Sequence, residues 1–134
     1  MAEKKLVVTE NDAEKGVLHE GAGRFCVLID KPTCGAHNVS LLTNTTNAGV
    51  AGREHTHDVE HCFYILSGSG MLIINGIEYP LKPKTAAFIP PNTTHQIIAD
   101  EKEDLEYLVL YSPPGEEQKM LREQGLDSGG KEER

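Results

Sequence analysis

Between residues 24 and 111 the sequence is a series of short runs rich in β-branched and aromatic residues, cut at close spacing by Gly, Pro and Asn. This feature limits the fold more than any other. No stretch there is long enough in one helical period to make a substantial helix, and short strands with frequent turn signals argue for a sandwich or barrel rather than βαβ units. The runs fall at 24–30 (RFCVLID), 37–46, 53–57, 61–66 (HCFYIL), 71–74, 77–81, 85–89, 94–99 and 105–111 (LEYLVLY). Asn75-Gly76 separates two of them. That dipeptide suits a type I′ turn, whose two central residues need positive φ, so 71–81 is expected to be a hairpin. A short edge strand is expected at 6–9, a polar stretch at 11–16 and a turn at 21–23. Pro113-Pro114-Gly115 closes the β region. Residues 116–124 then read as one short helix carrying Met120 and Leu121, and 127–134 (DSGGKEER) as a disordered tail with nothing to bury.

At 134 residues the chain is one domain, long enough to bury a core without staples. Its expected division is an arm at 1–23, a β-barrel at 24–112 and a helix with flexible tail at 113–134. The formal net charge is −8, with no concentrated basic patch, which argues against binding to nucleic acid or an anionic membrane. Cys26, Cys34 and Cys62 match no zinc-knuckle or redox spacing, and they read as unpaired thiols. The N-terminal MAEKKLVV has charges but no hydrophobic signal region. No apolar run approaches the roughly 18 residues that a bilayer span needs. A reduced, cytoplasmic protein is the expectation.

Three of the six histidines, His55, His57 and His61, fall within seven residues, and His95 follows the Pro90-Pro91 pair. Imidazole is the commonest protein ligand for a borderline transition metal. Residues two apart on a strand share a face, so His55 and His57 project together with Thr56 opposite. A short turn returns His61 beside His57, and His95 comes from a separate strand. Such a set can surround one ion inside a barrel. His19 reads as an ordinary polar residue instead. Alternation from His61 places Phe63, Ile65 and Ser67 on the inner face, and alternation from His95 places Ile97 and Ala99 there. These walls are mostly apolar. Polar assistance in the pocket would come from Arg24, His37, Ser40, Tyr64 or Tyr107.

The stretch from Gly49 to Gly68 resembles the first motif of the cupin superfamily, G-x5-H-x-H-x3,4-E-x6-G. Here it reads Gly49, five residues, His55-Thr56-His57, three residues, His61, six residues, Gly68. Every spacing fits, but His61 occupies the glutamate place. The second motif, G-x5-P-x-G-x2-H-x3-N, is met at Pro90 and His95, with Lys84, Asn92 and Ala99 standing where the two glycines and the asparagine would be. The resemblance spans roughly residues 24–111. It implies an all-β fold, a cupin-type β-barrel or double-stranded jelly roll. It also implies a small single-domain cupin of the four-histidine type, with His55, His57, His61 and His95 holding one divalent ion. Manganese is what the family implies. Four imidazoles equally suit Fe, Zn, Ni, Co or Cu.

Exchanging the usual carboxylate for His61 leaves a divalent site near a formal charge of about +2 rather than about +1, which favours an anionic chelating ligand such as a carboxylate, enolate or α-keto acid. The resulting expectation is an enzyme acting on a small anionic organic substrate, as an oxygenase or as a lyase or isomerase. The alternative is a non-catalytic module that binds metal and a small ligand. Outward-facing Tyr64 and Leu66 make a homodimer the expected assembly.

Overall fold

The alternation legible in the sequence becomes two antiparallel sheets facing one another. The computed structural model describes residues 4–18 and 21–123. Among these, the strands are β1 (Glu14–Val17), β2 (Gly23–Ile29), β3 (Ser40–Thr46), β4 (Glu60–Ser67), β5 (Gly70–Ile74), β6 (Ile77–Leu81), β7 (Ala86–Ile89), β8 (His95–Ala99) and β9 (Leu105–Ser112). Two α-helices, α1 (Lys31–Cys34) and α2 (Glu116–Glu123), follow β2 and β9, and a 3-10 turn at Glu10–Asp12 precedes β1. One sheet runs β1-β2-β3-β9-β4-β7 and the other β6-β5-β8. This is the jelly-roll architecture expected for an all-β chain with one short C-terminal helix.

Period-two burial shows which face of each strand meets the core. Leu105, Tyr107, Val109 and Tyr111 of β9 are buried, as are His61, Phe63 and Ile65 of β4 and His95, Ile97 and Ala99 of β8. Leu42, Leu72 and Ile89 complete the centre of the core. Each such large apolar side chain removed from water contributes about 1.5–3 kcal/mol. The hairpin forms as read, with Asn75 at φ 50°, Gly76 at φ 81° and Ile74 opposite Ile77.

Several segments differ from the sequence reading. Residues 6–9 are not a strand. Leu6 and Val7 are 80% and 81% exposed, and sheet pairing starts only at β1, whose polar residues were not expected to pair. Backbone bonds to β2 hold this edge, so apolar patterning could not reveal it. Residues 53–57 are not a regular strand either. They run beside β8 as a broken ladder: Gly52 N donates to Ile97 O at 2.8 Å, and His55 and His95 exchange two bonds of 3.0 Å. Strand β3 starts at Ser40, later than expected. Pro32 and Gly35 do end β2, but they also frame α1: the Asp30 side chain caps it by accepting from Thr33 N, and Gly35 leaves it at φ 81°. Ser67 is exposed rather than inward, because the register slips between Ile65 and Ser67. His19 and the tail at 127–134 lie outside the described residues.

Candidate metal centre

Three elements converge at one end of the core. Strand β4 brings His61, β8 brings His95, and the broken segment before β4 brings His55 and His57. Ring centroids are 4.4 Å apart for His55–His95, 4.7 Å for His55–His57, 4.7 Å for His61–His95 and 5.0 Å for His57–His61. Ligand atoms of His55, His57 and His95 lie within 4.8 Å of one another, and this trio is a group able to hold a metal ion. His61 falls outside that set but closes the ring of imidazoles against His57 and His95.

The outer sides of the rings are tied down. His55 Nδ1 meets Arg53 O at 2.7 Å, His95 Nδ1 meets Thr93 O at 2.9 Å, and His57 Nδ1 meets Glu116 Oε1 at 3.1 Å. Each of these partners accepts a hydrogen bond from Nδ1–H, which leaves Nε2 as the free lone pair. Inside, His95 Nε2 and both nitrogens of His61 are buried without a hydrogen-bond partner among the described residues. The Val59 backbone favours a protonated His61 slightly without closing a bond to it. A buried unpaired imidazole nitrogen costs free energy. A cation among these rings would take one lone pair from each and offset part of that cost, so the donor set fits a metal ion.

Burial also sets the protonation states. It pushes His61 down to about 3 and His95 down to about 4, with the neighbouring imidazoles adding to the effect. His57 is lowered by burial as well, against the opposing pull of Glu116. Neutral imidazoles are the form that ligates metal.

The rings form one wall of a cavity of about 270 Å³. Phe63, Ile97, Asn44 and Tyr107 line its interior, and Lys119 and Met120 of α2 close one side. Of the polar residues singled out in the sequence, Tyr107 lines this cavity, with its hydroxyl 3.0 Å from Thr46 Oγ1. The other four lie elsewhere. Arg24 borders a separate groove beside Lys15 and Cys26. His37 is exposed, before β3. Ser40 is buried on β3 away from the cavity lining, and its Oγ has no partner. Tyr64 faces outward on β4. The structure adds Asn44, Tyr111 and Glu116, which the sequence reading passed over. Alternation along LEYLVLY puts Tyr111 on the face of Tyr107, so that residue was within reach. Glu116 meets the site by a contact between helix and loop, for which periodicity gives no signal.

The two motif departures at glycine positions have a structural counterpart. Lys84 and Asn92 adopt φ 69° and φ 60°, the left-handed region that glycine takes without penalty. The backbone keeps the conformation where the residue type changes.

A closed pair of antiparallel sheets with imidazoles converging inside it defines a histidine-site β-barrel domain. The Cupin domain family model matches residues 44–111, half of the chain, and the chain belongs to the cupin family. Auxin-binding protein 1 of Arabidopsis thaliana is 32% identical over 89 residues, which make up 60% of this chain and 45% of that protein. The chain thus spans about half the length of the curated relative it matches. Among solved structures, KdgF from a Halomonas species superposes with a TM-score of 0.73 at 17% identity, covering 86% of this chain and 99% of that one. The polyketide cyclase RemF from Streptomyces resistomycificus gives 0.70 at 24% identity, covering 85% and 81%. At these identities the structural likeness speaks to fold alone. No helix among the described residues is long and apolar enough to cross a membrane.

Proposed function

We propose that this chain is a metal-dependent cupin enzyme that binds one divalent ion through His55, His57, His61 and His95 and acts on a small anionic organic molecule in the adjoining cavity. The reaction is of the oxygenase or the lyase and isomerase type, with manganese as the first metal to test. The observation that carries the reading is the set of inward imidazole nitrogens without protein partners, on the wall of a cavity of about 270 Å³. That volume suits a metabolite-sized molecule, since one water occupies about 30 Å³ of liquid. When bound, the ion would supply Lewis-acid or redox chemistry. The protein's own part is to hold neutral imidazoles in place, to exclude water with Phe63 and Ile97, and to shape the cavity.

The four imidazoles bring no negative charge, which supports an anionic ligand. Exchanging His61 for glutamate tests this directly: His61→Glu should keep or raise metal affinity and weaken binding of oxalate-like anions. Tighter anion binding by the variant would defeat the charge argument. Metal content after purification, followed by oxygen uptake with a panel of keto acids and diketones, tests the enzyme reading.

One observation favours a second reading, a non-catalytic metal- and ligand-binding module. Glu116 is engaged by His57 and Lys119, and Tyr107 by Thr46. Burial also raises Tyr107 above the usual tyrosine range. Both groups are thereby poorly placed for proton transfer. Oxygen consumption or product formation would rule the module out.

A further inference from the structure

The cupin pattern's acidic position holds His61, so β4 offers no carboxylate to the centre. A carboxylate arrives from another direction. Glu116, the first residue of α2, is buried, and its Oε1 lies 3.1 Å from His57 Nδ1. Its Oε2 accepts from Lys119 Nζ at 3.2 Å. The helix beneath it is fastened on its other side. Glu117 is 1% exposed and accepts from Gly115 N at 3.0 Å and from Gln118 Nε2 at 3.2 Å. Gln118 Nε2 also donates to Asp30 Oδ2 at 2.9 Å, which ties α2 to the end of β2. Leu121 anchors the same helix in the core.

We propose that Glu116 is a positioning residue of the metal centre, holding His57 with Nδ1 protonated outward and Nε2 free inward, and that it thereby couples docking of α2 to occupancy of the centre. The inference rests on the metal reading given above. His55 and His95 are oriented by neutral backbone carbonyls, whereas His57 is oriented by a carboxylate. A carboxylate acceptor makes the imidazole a stronger ligand than a carbonyl does. A carboxylate thus stands one imidazole away, outside the set of ligands. Coupling is reciprocal, so whatever tightens His57 on the ion also tightens Glu116, and with it α2, on His57.

The test uses the full chain, stripped of metal and titrated calorimetrically with zinc and with manganese alone. Glu116→Ala should weaken metal binding by about 10- to 100-fold. Near-isosteric Glu116→Gln keeps an acceptor for Nδ1–H without the charge and should recover part of the loss. In NMR spectra the downfield His57 Nδ1–H resonance should persist in Glu116→Gln and vanish in Glu116→Ala. Amide exchange in α2 should slow on zinc loading of the parent and stay unchanged in Glu116→Ala. If the parent binds metal and both variants bind it within twofold of the parent, Glu116 serves the helix alone and the proposal is overturned while the metal reading stands. If the parent binds neither metal, that reading falls and takes the proposal with it.

Discussion

His61→Leu should make the metal-free protein more stable while harming its capacity to bind metal. His61 is 1% exposed, and neither ring nitrogen has a hydrogen-bond partner. An unmet buried polar atom costs about 1–3 kcal/mol, and replacing it by an apolar group of similar size removes that cost. Leucine fills a similar volume against Phe63 and Tyr111, so a net gain of about 1–3 kcal/mol is expected at pH 7.5. The pH dependence adds a second signature. The folded-state pKa is depressed to about 3, below the ordinary value of 6.5, so the unfolded chain takes up the proton first. Stability is therefore level above the ordinary value and falls as pH drops from there towards 3. At pH 5 this histidine alone should cost the parent about 2 kcal/mol, a cost the leucine variant escapes. Urea unfolding of both metal-stripped proteins at pH 7.5 and pH 5 measures the two gaps. A variant less stable than its parent at pH 7.5, or a gap that does not widen at pH 5, would refute the reasoning. Saturating zinc should stabilise the parent far more than the variant.

Other consequences can be measured independently. Gly68→Ala should destabilise by more than about 2 kcal/mol, because a Cβ there would run into Asp104 O on a backbone at φ 84°; thermal unfolding reads the loss. Lys84→Gly should stabilise by up to about 1 kcal/mol, since relief of the left-handed strain exceeds the added freedom of the unfolded chain; an unchanged or lower urea midpoint would contradict this. Phe88 is 52% exposed on edge strand β7, opposite Cys62 and on the outward sheet face that Tyr64 of β4 shares. If the chain pairs through this face, Phe88→Glu should turn a dimer into a monomer in sedimentation velocity, and an unaltered dimer would place the interface elsewhere.

Most of the β architecture was legible because burial alternates so regularly along β4, β8 and β9. Where one face of a strand meets a core, period two dictates side-chain placement, and it correctly put Phe63, Ile65, Ile97 and Ala99 inside. It failed at Ser67, since the slipped register before that residue leaves no trace in hydrophobicity. It failed also at the two ends of the polarity range. Leu6 and Val7 look like a strand yet are exposed and join no sheet, whereas polar β1 pairs with β2. For the site, spacing singled out the four histidines, and the structure brings their rings together. Beyond Tyr107 it missed the polar lining, because Asn44 and Glu116 reach the cavity from elements far apart in sequence. Arg24, His37, Ser40 and Tyr64 were picked by residue type alone, and type does not fix the side of a sheet on which a residue falls.

Helix α2 lies wholly beyond residues 44–111, the stretch that matches the family. The imidazoles belong to that shared stretch, while Glu116, Lys119 and Met120 on one side of the cavity do not. The cavity is therefore walled by two parts of the chain, the matched stretch with its imidazoles and a helix outside it. Substitution of Met120 would change that side of the cavity and leave Glu116, every barrel strand and every imidazole in place. The outline of the cavity can thus change from outside the stretch that the family shares.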